Sequence, residues 1–197
     1  MIGVINYGAG NVGSVLRAIQ YLGHPAEAVE DASLLQSADR LILPGQGHFG
    51  SMMDALESKK MIAPLRELMA GGKPFLGICL GLQALYESSE EAPDRPGFGL
   101  LPGHVKRFEG VFKIPHLGWS QLEIRNQYGL FKGVLDGSFA YFCHSYYGPV
   151  TDKTTVTTEY GQTFSAAVSV GSVYAVQFHP EKSGEVGLRV LRNFLES

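Results

Sequence analysis

Cysteine is scarce: Cys79 and Cys143 are the only two in 197 residues, too few for the disulfide framework of a small secreted domain. Long apolar runs are missing as well. The best, residues 75–82, stops at Gln83, whereas a membrane-spanning helix needs roughly 20 apolar residues. No membrane partner is expected. The chain does not open with a basic segment, an apolar run and a cleavage site, so the expected compartment is the cytoplasm. Charge of neither sign dominates: 16 Lys and Arg stand against 19 Asp and Glu, with no basic cluster, which argues against nucleic acid as a partner. The 45% hydrophobic and 18% charged content is ordinary for a globular protein. The length suits one well-buried core better than two. A single domain over residues 1–197 is expected, with small molecules or proteins as partners.

The first half alternates strand-like runs with helix-period segments. A strand at 2–6 precedes a helix in which Val12, Val15, Leu16, Ile19 and Leu22 share a face and Gly23 supplies the stop. A weak strand at 28–29, a short helix at 33–37 and a strand at 40–43, closed by Pro44-Gly45, continue the rhythm. Residues 52–69 read as helix, in two pieces if Pro64 breaks it, with Gly71-Gly72 ending it before a strand at 75–78. A helix over 80–87 follows at once. From about Arg95 the texture turns to glycine, proline, aromatic and β-branched residues, with strands expected at 105–108, 121–124, 139–142, 154–158 and 173–178. Val186, Val190, Leu191, Phe194 and Leu195 form one face of a final helix, with Ser183 as its expected cap. The pattern implies an α/β fold with a largely parallel sheet covered by helices on both faces and extended by antiparallel strands from the second half.

Gly8-Ala9-Gly10-Asn11-Val12-Gly13 fits a dinucleotide-binding fingerprint, and Glu30 and Asp31 lie near where a ribose-binding carboxylate belongs. The same glycines also suit any tight strand-to-helix turn. A nicotinamide enzyme is the remote alternative, because it typically needs a second substrate module. Stronger chemistry lies at Gly77-Ile78-Cys79-Leu80-Gly81, between a strand and a helix, where a G-x-nucleophile-x-G turn lifts a side chain clear of a sheet. There Cys79 is expected to be exposed, with a helix N-terminus and an imidazole favouring its thiolate. His179-Pro180-Glu181 follows an apolar strand, and residues two apart in extended chain point the same way. His179 thus qualifies as base and Glu181 as the acid that orients it. The order histidine before acid excludes an α/β-hydrolase esterase. Histidines 24, 48, 104, 116 and 144 form no pairs at ligand spacing, so no metal is expected. His48 and His144 are expected to satisfy local hydrogen bonds, and Cys143 to be a small buried apolar residue.

Gly77-Ile78-Cys79-Leu80-Gly81-Leu82-Gln83 with the distant His179-Pro180-Glu181 resembles the class I (triad) glutamine amidotransferases, over essentially the whole chain. Asn6-Tyr7-Gly8-Ala9-Gly10-Asn11, Pro44 through Gly50, Ile114 through Trp119 and Tyr141 through Tyr147 are similar to the glutaminase subunits of imidazole glycerol phosphate synthase. The resemblance implies a flavodoxin-like amidotransferase fold, no cofactor, and a cytoplasmic heterodimer with a (β/α)8-barrel cyclase of histidine biosynthesis. It implies glutamine as substrate and Cys79, His179 and Glu181 as the triad. Gly47, Gln83, Ser145 and Tyr146 would hold glutamine, and the backbone amides of Gln46 and Leu80 would form an oxyanion hole. Asn11, Trp119, Tyr141 and Lys182 would face the partner. A glutaminase subunit feeding another ammonia-channelling synthase, such as that of pyridoxal phosphate, shares the triad and stays open as the alternative. Two positions depart from the pattern: Gln46, where a small apolar residue is usual, and Ser120, where asparagine is frequent.

Overall fold

The computed structural model describes residues 1–125 and 127–197. Its first half follows the expected alternation: β1 (Ile2–Ile5), α1 (Val12–Tyr21), β2 (Ala26–Val29), β3 (Arg40–Gly45), α2 (Phe49–Ser58), α3 (Ile62–Ala70), β4 (Phe75–Cys79) and the single turn α4 (Leu80–Gln83). The second half supplies β5 (Tyr86–Ser89), β6 (Leu101–Arg107), β7 (His116–Gln121), β8 (Glu123–Ile124), β9 (Phe139–His144), β10 (Tyr146–Tyr147), β11 (Thr154–Glu159), β12 (Thr163–Val170), β13 (Val173–Val176) and α5 (Gly184–Leu195).

The main sheet runs β2-β1-β3-β4-β13-β12-β11-β8. The five strands from β2 to β13 are mutually parallel, and β12, β11 and β8 extend them antiparallel. Val15 and Ile19 of α1 join Val190, Leu191 and Phe194 of α5 in the core on one face. Met52, Met53 and Leu56 of α2 and Leu65 and Met69 of α3 fill the other. Covering both faces is what allows residues 41–45 of β3 and all of β4 to be apolar. Beyond the main sheet, β10-β6-β5 form a small sheet and β7-β9 an antiparallel ribbon.

Three expectations change. The helix over 52–69 is indeed in two pieces, but Pro64 is not the break: it lies in the first turn of α3, where its missing N–H would have no helical partner anyway. Lys60 makes the break at φ 56°, with the Met61 N–H reaching back to the Leu56 carbonyl at 2.9 Å, a helix stop that usually takes glycine. The helix expected over 80–87 is one turn long. The carbonyls of Ala84, Leu85, Tyr86 and Glu87 accept from the backbone N–H groups of residues 97–101 instead of continuing the helix. Finally, Ser183 precedes α5 without capping it; its hydroxyl donates to the His179 carbonyl at 2.7 Å and accepts from the Tyr141 N–H at 2.9 Å. That bridge ties the start of α5 to β9.

Candidate active site

Open parallel sheets bind ligands beyond the carboxyl ends of their strands, and β3, β4 and β13 lie side by side there. Gly45 pairs with Cys79 across β3 and β4, and Val176 pairs with Ile78 across β13 and β4. Gln46 therefore leaves its strand on one side of Cys79, and Gln177, Phe178 and His179 leave theirs on the other.

The turn at Cys79 is strained and tightly enclosed. Cys79 has φ 54°, rare for a side chain other than glycine. A Cβ on Gly81 would lie 2.2 Å from the Leu43 carbonyl oxygen, and one on Gly77 would lie 2.6 Å from that of Gly81. Both glycines are thus dictated by close backbone approach. Contrary to expectation, Cys79 is not exposed, at 5%; it lines a cleft of about 280 Å³ together with Gln46, Gly47, Gln83, Ser145, Tyr146, His179 and Lys182. Because α4 is a single turn, helix-dipole support for a thiolate is smaller than the sequence suggested. A group the sequence reading missed adds to it: Gln177, fully buried, donates from Nε2 to Cys79 Sγ at 3.6 Å.

His179 Nδ1 meets Glu181 Oε1 at 3.0 Å, both side chains almost fully buried. Burial opposes a charge on the imidazole, but its hydrogen bonds and attraction to Cys79 and Glu181 outweigh this and push it up to about 10. Burial likewise works against the Glu181 carboxylate, yet His179 and the Asn11 side chain hold it below the usual carboxylate range. Asn11 Nδ2 donates to Glu181 Oε1 at 3.0 Å, so this residue, expected at a partner surface, also touches the acid. The arrangement pairs a sulfur nucleophile with a proton carrier whose tautomer is fixed from behind.

The remaining expected residues divide. Gly47, Ser145 and Tyr146 line the cleft. Gln83 does too, but its amide nitrogen already donates to the Tyr146 carbonyl at 2.8 Å and to Gln177 Oε1 at 3.2 Å, leaving its oxygen for a ligand. Glu91 was missed: it lines the cleft and accepts from the Phe49 N–H at 2.7 Å, placing a carboxylate where an ammonium group can meet it. The Leu80 N–H is at the start of α4 and has no partner within the helix. Gln46 lines the cleft, and its N–H lies near the phenol oxygen of Tyr7.

The β7-β9 ribbon alternates strictly. His116, Ala140, Phe142 and His144 face inward and are buried, while Leu117, Trp119 and Phe139 are 53–55% exposed on the outer face. Trp119 and Tyr141 pair across the ribbon with ring centroids 6.0 Å apart. The alternation also corrects Cys143: opposite Leu117, it faces outward and is exposed.

His116 and His144, far apart in sequence, are register partners. The Tyr146 carbonyl can only accept, so His144 Nδ1 donates to it at 2.8 Å. His116 Nδ1 then donates to His144 Nε2 at 3.2 Å, and His116 Nε2 accepts from the Ser120 hydroxyl at 2.9 Å. Ser120, the second departure from the family pattern, thus completes a relay that requires both rings neutral. Burial lowers His116 to about 4 and His144 to about 3. Unfolded histidines titrate near 6.5, so the unfolded chain binds more protons as the pH falls below that value. Stability is therefore expected to drop between pH 6.5 and 4.5 by at most about 1 kcal/mol per pH unit for each histidine. His179 has the opposite sign: with its value raised, its contribution is complete below pH 6.5 and does not offset the loss. Urea melts across this window check the expectation, which a constant stability would contradict.

Residues 3–197 match the family described as glutamine amidotransferase class-I. The chain belongs to the class I glutamine amidotransferases. Two relatives carry the name imidazole glycerol phosphate synthase subunit HisH. The one from Bacillus cereus is 44% identical over 98% of this chain and 93% of its own length. The one from Syntrophotalea carbinolica is 44% identical over 98% of each. Among solved structures, one titled glutamine amidotransferase superposes with TM-score 0.78 at 23% identity, covering 99% of this amidotransferase and 97% of its own chain. A second, PurLQS from Thermotoga maritima, gives TM-score 0.78 at 21% identity with the same coverage. At such identity these two speak for the fold. The glycine loop takes its meaning within that fold. Glu30 accepts from Asn6 Nδ2 at 2.6 Å, Asp31 from the Ser33 N–H at 2.8 Å, and Gly10 packs against the Pro44 carbonyl, so each is engaged in structure.

Proposed function

We propose that this amidotransferase is the glutaminase subunit of imidazole glycerol phosphate synthase in histidine biosynthesis, acting as one domain over residues 1–197 in the cytoplasm. Among the described residues no helix is long and apolar enough to cross a membrane. The observation that carries the reading is the buried line Cys79, His179 and Glu181 at the ends of adjacent parallel strands, in a chain 44% identical over nearly its full length to subunits of that name.

Cys79 attacks the side-chain amide carbon of glutamine as a thiolate. The developing oxyanion is met by the Leu80 N–H and, once turned inward, the Gln46 N–H. His179 gives its proton to the leaving nitrogen, ammonia departs, and a γ-glutamyl thioester remains. His179 then takes a proton from water, which attacks the thioester and releases glutamate, and Glu181 stabilises the imidazolium throughout. Gly47, Ser145, Tyr146 and the Gln83 oxygen hold glutamine, and Glu91 receives its ammonium group. No cofactor is used.

Ammonia is consumed by a (β/α)8-barrel cyclase in a heterodimer. The outer face of the β7-β9 ribbon supports that contact, because Leu117, Trp119 and Phe139 present exposed apolar surface beside the elements bearing Asn11, Tyr141 and Lys182. Aromatic anchors dominate such interfaces. Trp119→Ala is expected to weaken complex formation by at least about 2 kcal/mol, some thirtyfold, or to uncouple glutamine consumption from product. Titration of the two subunits with parallel glutamate and product assays measures both; unchanged affinity with one-to-one coupling would exclude this face. The reading as a whole is tested by reconstitution with the purified cyclase: glutamine-dependent synthesis supports it, and none with an active cyclase overturns it.

A further inference from the structure

Tyr7 follows β1 and lies beneath the Pro44–Gly47 loop, 4% exposed. Its hydroxyl is one of the few buried polar side-chain atoms with no hydrogen-bond partner among the described residues. Phenylalanine would fill the same space without that cost, so the oxygen calls for a role. Its surroundings point to one. A Cβ on Gly10 would lie 3.2 Å from the Pro44 carbonyl oxygen and 3.4 Å from the Tyr7 oxygen, which sets the phenol against the loop. The Gln46 N–H approaches the same oxygen without reaching hydrogen-bond geometry, so it is free to turn toward the cleft that Gln46 lines. Burial pushes the phenol up to about 12, so it keeps its proton and stays a donor.

A peptide unit that rotates about its neighbouring bonds exchanges the places of its N–H and C=O. If the Gly45–Gln46 peptide turns so that the Gln46 N–H enters the oxyanion position, the Gly45 carbonyl comes round toward Tyr7. A hydroxyl both accepts and donates, and here it meets a carbonyl where it now has no partner. We infer that Tyr7 is a positioning residue that donates to the turned Gly45 carbonyl and so stabilises the loop arrangement able to hydrolyse glutamine. The inference rests on the glutaminase reading above and adds to it the group that receives the loop.

Tyr7→Phe keeps the ring and removes only the oxygen. The test measures kcat and KM for glutamine hydrolysis, for wild type and variant, in the free chain and in the complex with the cyclase and the cyclase's own substrate, a carboxamide nucleotide by the family resemblance. Loss of one neutral hydrogen bond is expected to lower the stimulated kcat roughly five- to tenfold, with KM unmoved and the ratio of stimulated to free turnover falling accordingly. An unchanged stimulated kcat overturns the inference. A rise in free turnover does so too, because the hydroxyl would then be holding the resting loop. A KM that rises by the same factor would put the hydroxyl on glutamine and likewise overturns it. Failure of the underlying reading is separable, since wild type itself would then show no stimulated hydrolysis.

Discussion

Cys79→Ala is expected to lower glutamine hydrolysis by about 10⁴-fold or more, while synthesis from added ammonium salts by the same complex stays intact. The size follows from how a triad works: its members act as one unit, and removing the nucleophile leaves only binding and oxyanion contacts. Cys143 is no substitute. It faces outward from β9 opposite Leu117, and it is the Cys143 carbonyl that approaches Cys79, at 3.9 Å from Sγ. Alanine is also mild here, since it removes one sulfur and leaves Gly77 and Gly81, whose close contacts shape the turn. Glutamate release and product formation, each measured with glutamine and with ammonium as nitrogen source, check the claim. Equal loss from both sources would show that Cys79 supports the assembly of the complex, not the release of ammonia.

The placement of the candidate residues was legible because it is local. A cysteine between two glycines at the end of an apolar strand, and a histidine two residues before an acid at the end of another, are patterns whose geometry follows from strand and turn alone. The largely parallel sheet was legible for the same reason, through short apolar runs alternating with helical periods. What escaped was set by distant chain. Nothing near residues 80–87 reveals that the backbone of residues 97–101 will take their carbonyls and end the helix after one turn. Lys60 sits where glycine usually ends a helix, so α2 carried no visible stop. Cys143 was misread because its environment depends on which face of β9 packs inward, and His116 and His144 become partners only through the pairing of β7 with β9. Gln177 had a signal: it is the single amide in an otherwise apolar run leading to His179. Glu91 and the Tyr7 hydroxyl had none, because Glu91 meets the distant backbone N–H of Phe49 and Tyr7 lies near the loop after β3 only in the folded chain.

That loop also limits one experiment on the proposed rotation. Gly45→Ala is a natural probe of peptide rotation, but a Cβ there would lie 2.5 Å from the Leu80 Cβ and 2.8 Å from the Gly81 N, so it would disturb the turn at Cys79 as well. Turnover of the unmodified chain is the cleaner measure. On the proposed reading the Gln46 N–H, which lies near Tyr7 in this structure, has yet to turn into the oxyanion position, which leaves the Leu80 N–H as the one donor in place. One such donor typically contributes a hundredfold to a thousandfold in rate. A partner that favours the turned loop by a few kcal/mol supplies that factor without touching glutamine. The most direct test is steady-state glutamine turnover of the free chain, of its complex with the cyclase, and of that complex with the carboxamide nucleotide bound. The account expects slow hydrolysis by the free chain and a rise of about a hundredfold or more once partner and nucleotide are both present; equal turnover in all three states would contradict it.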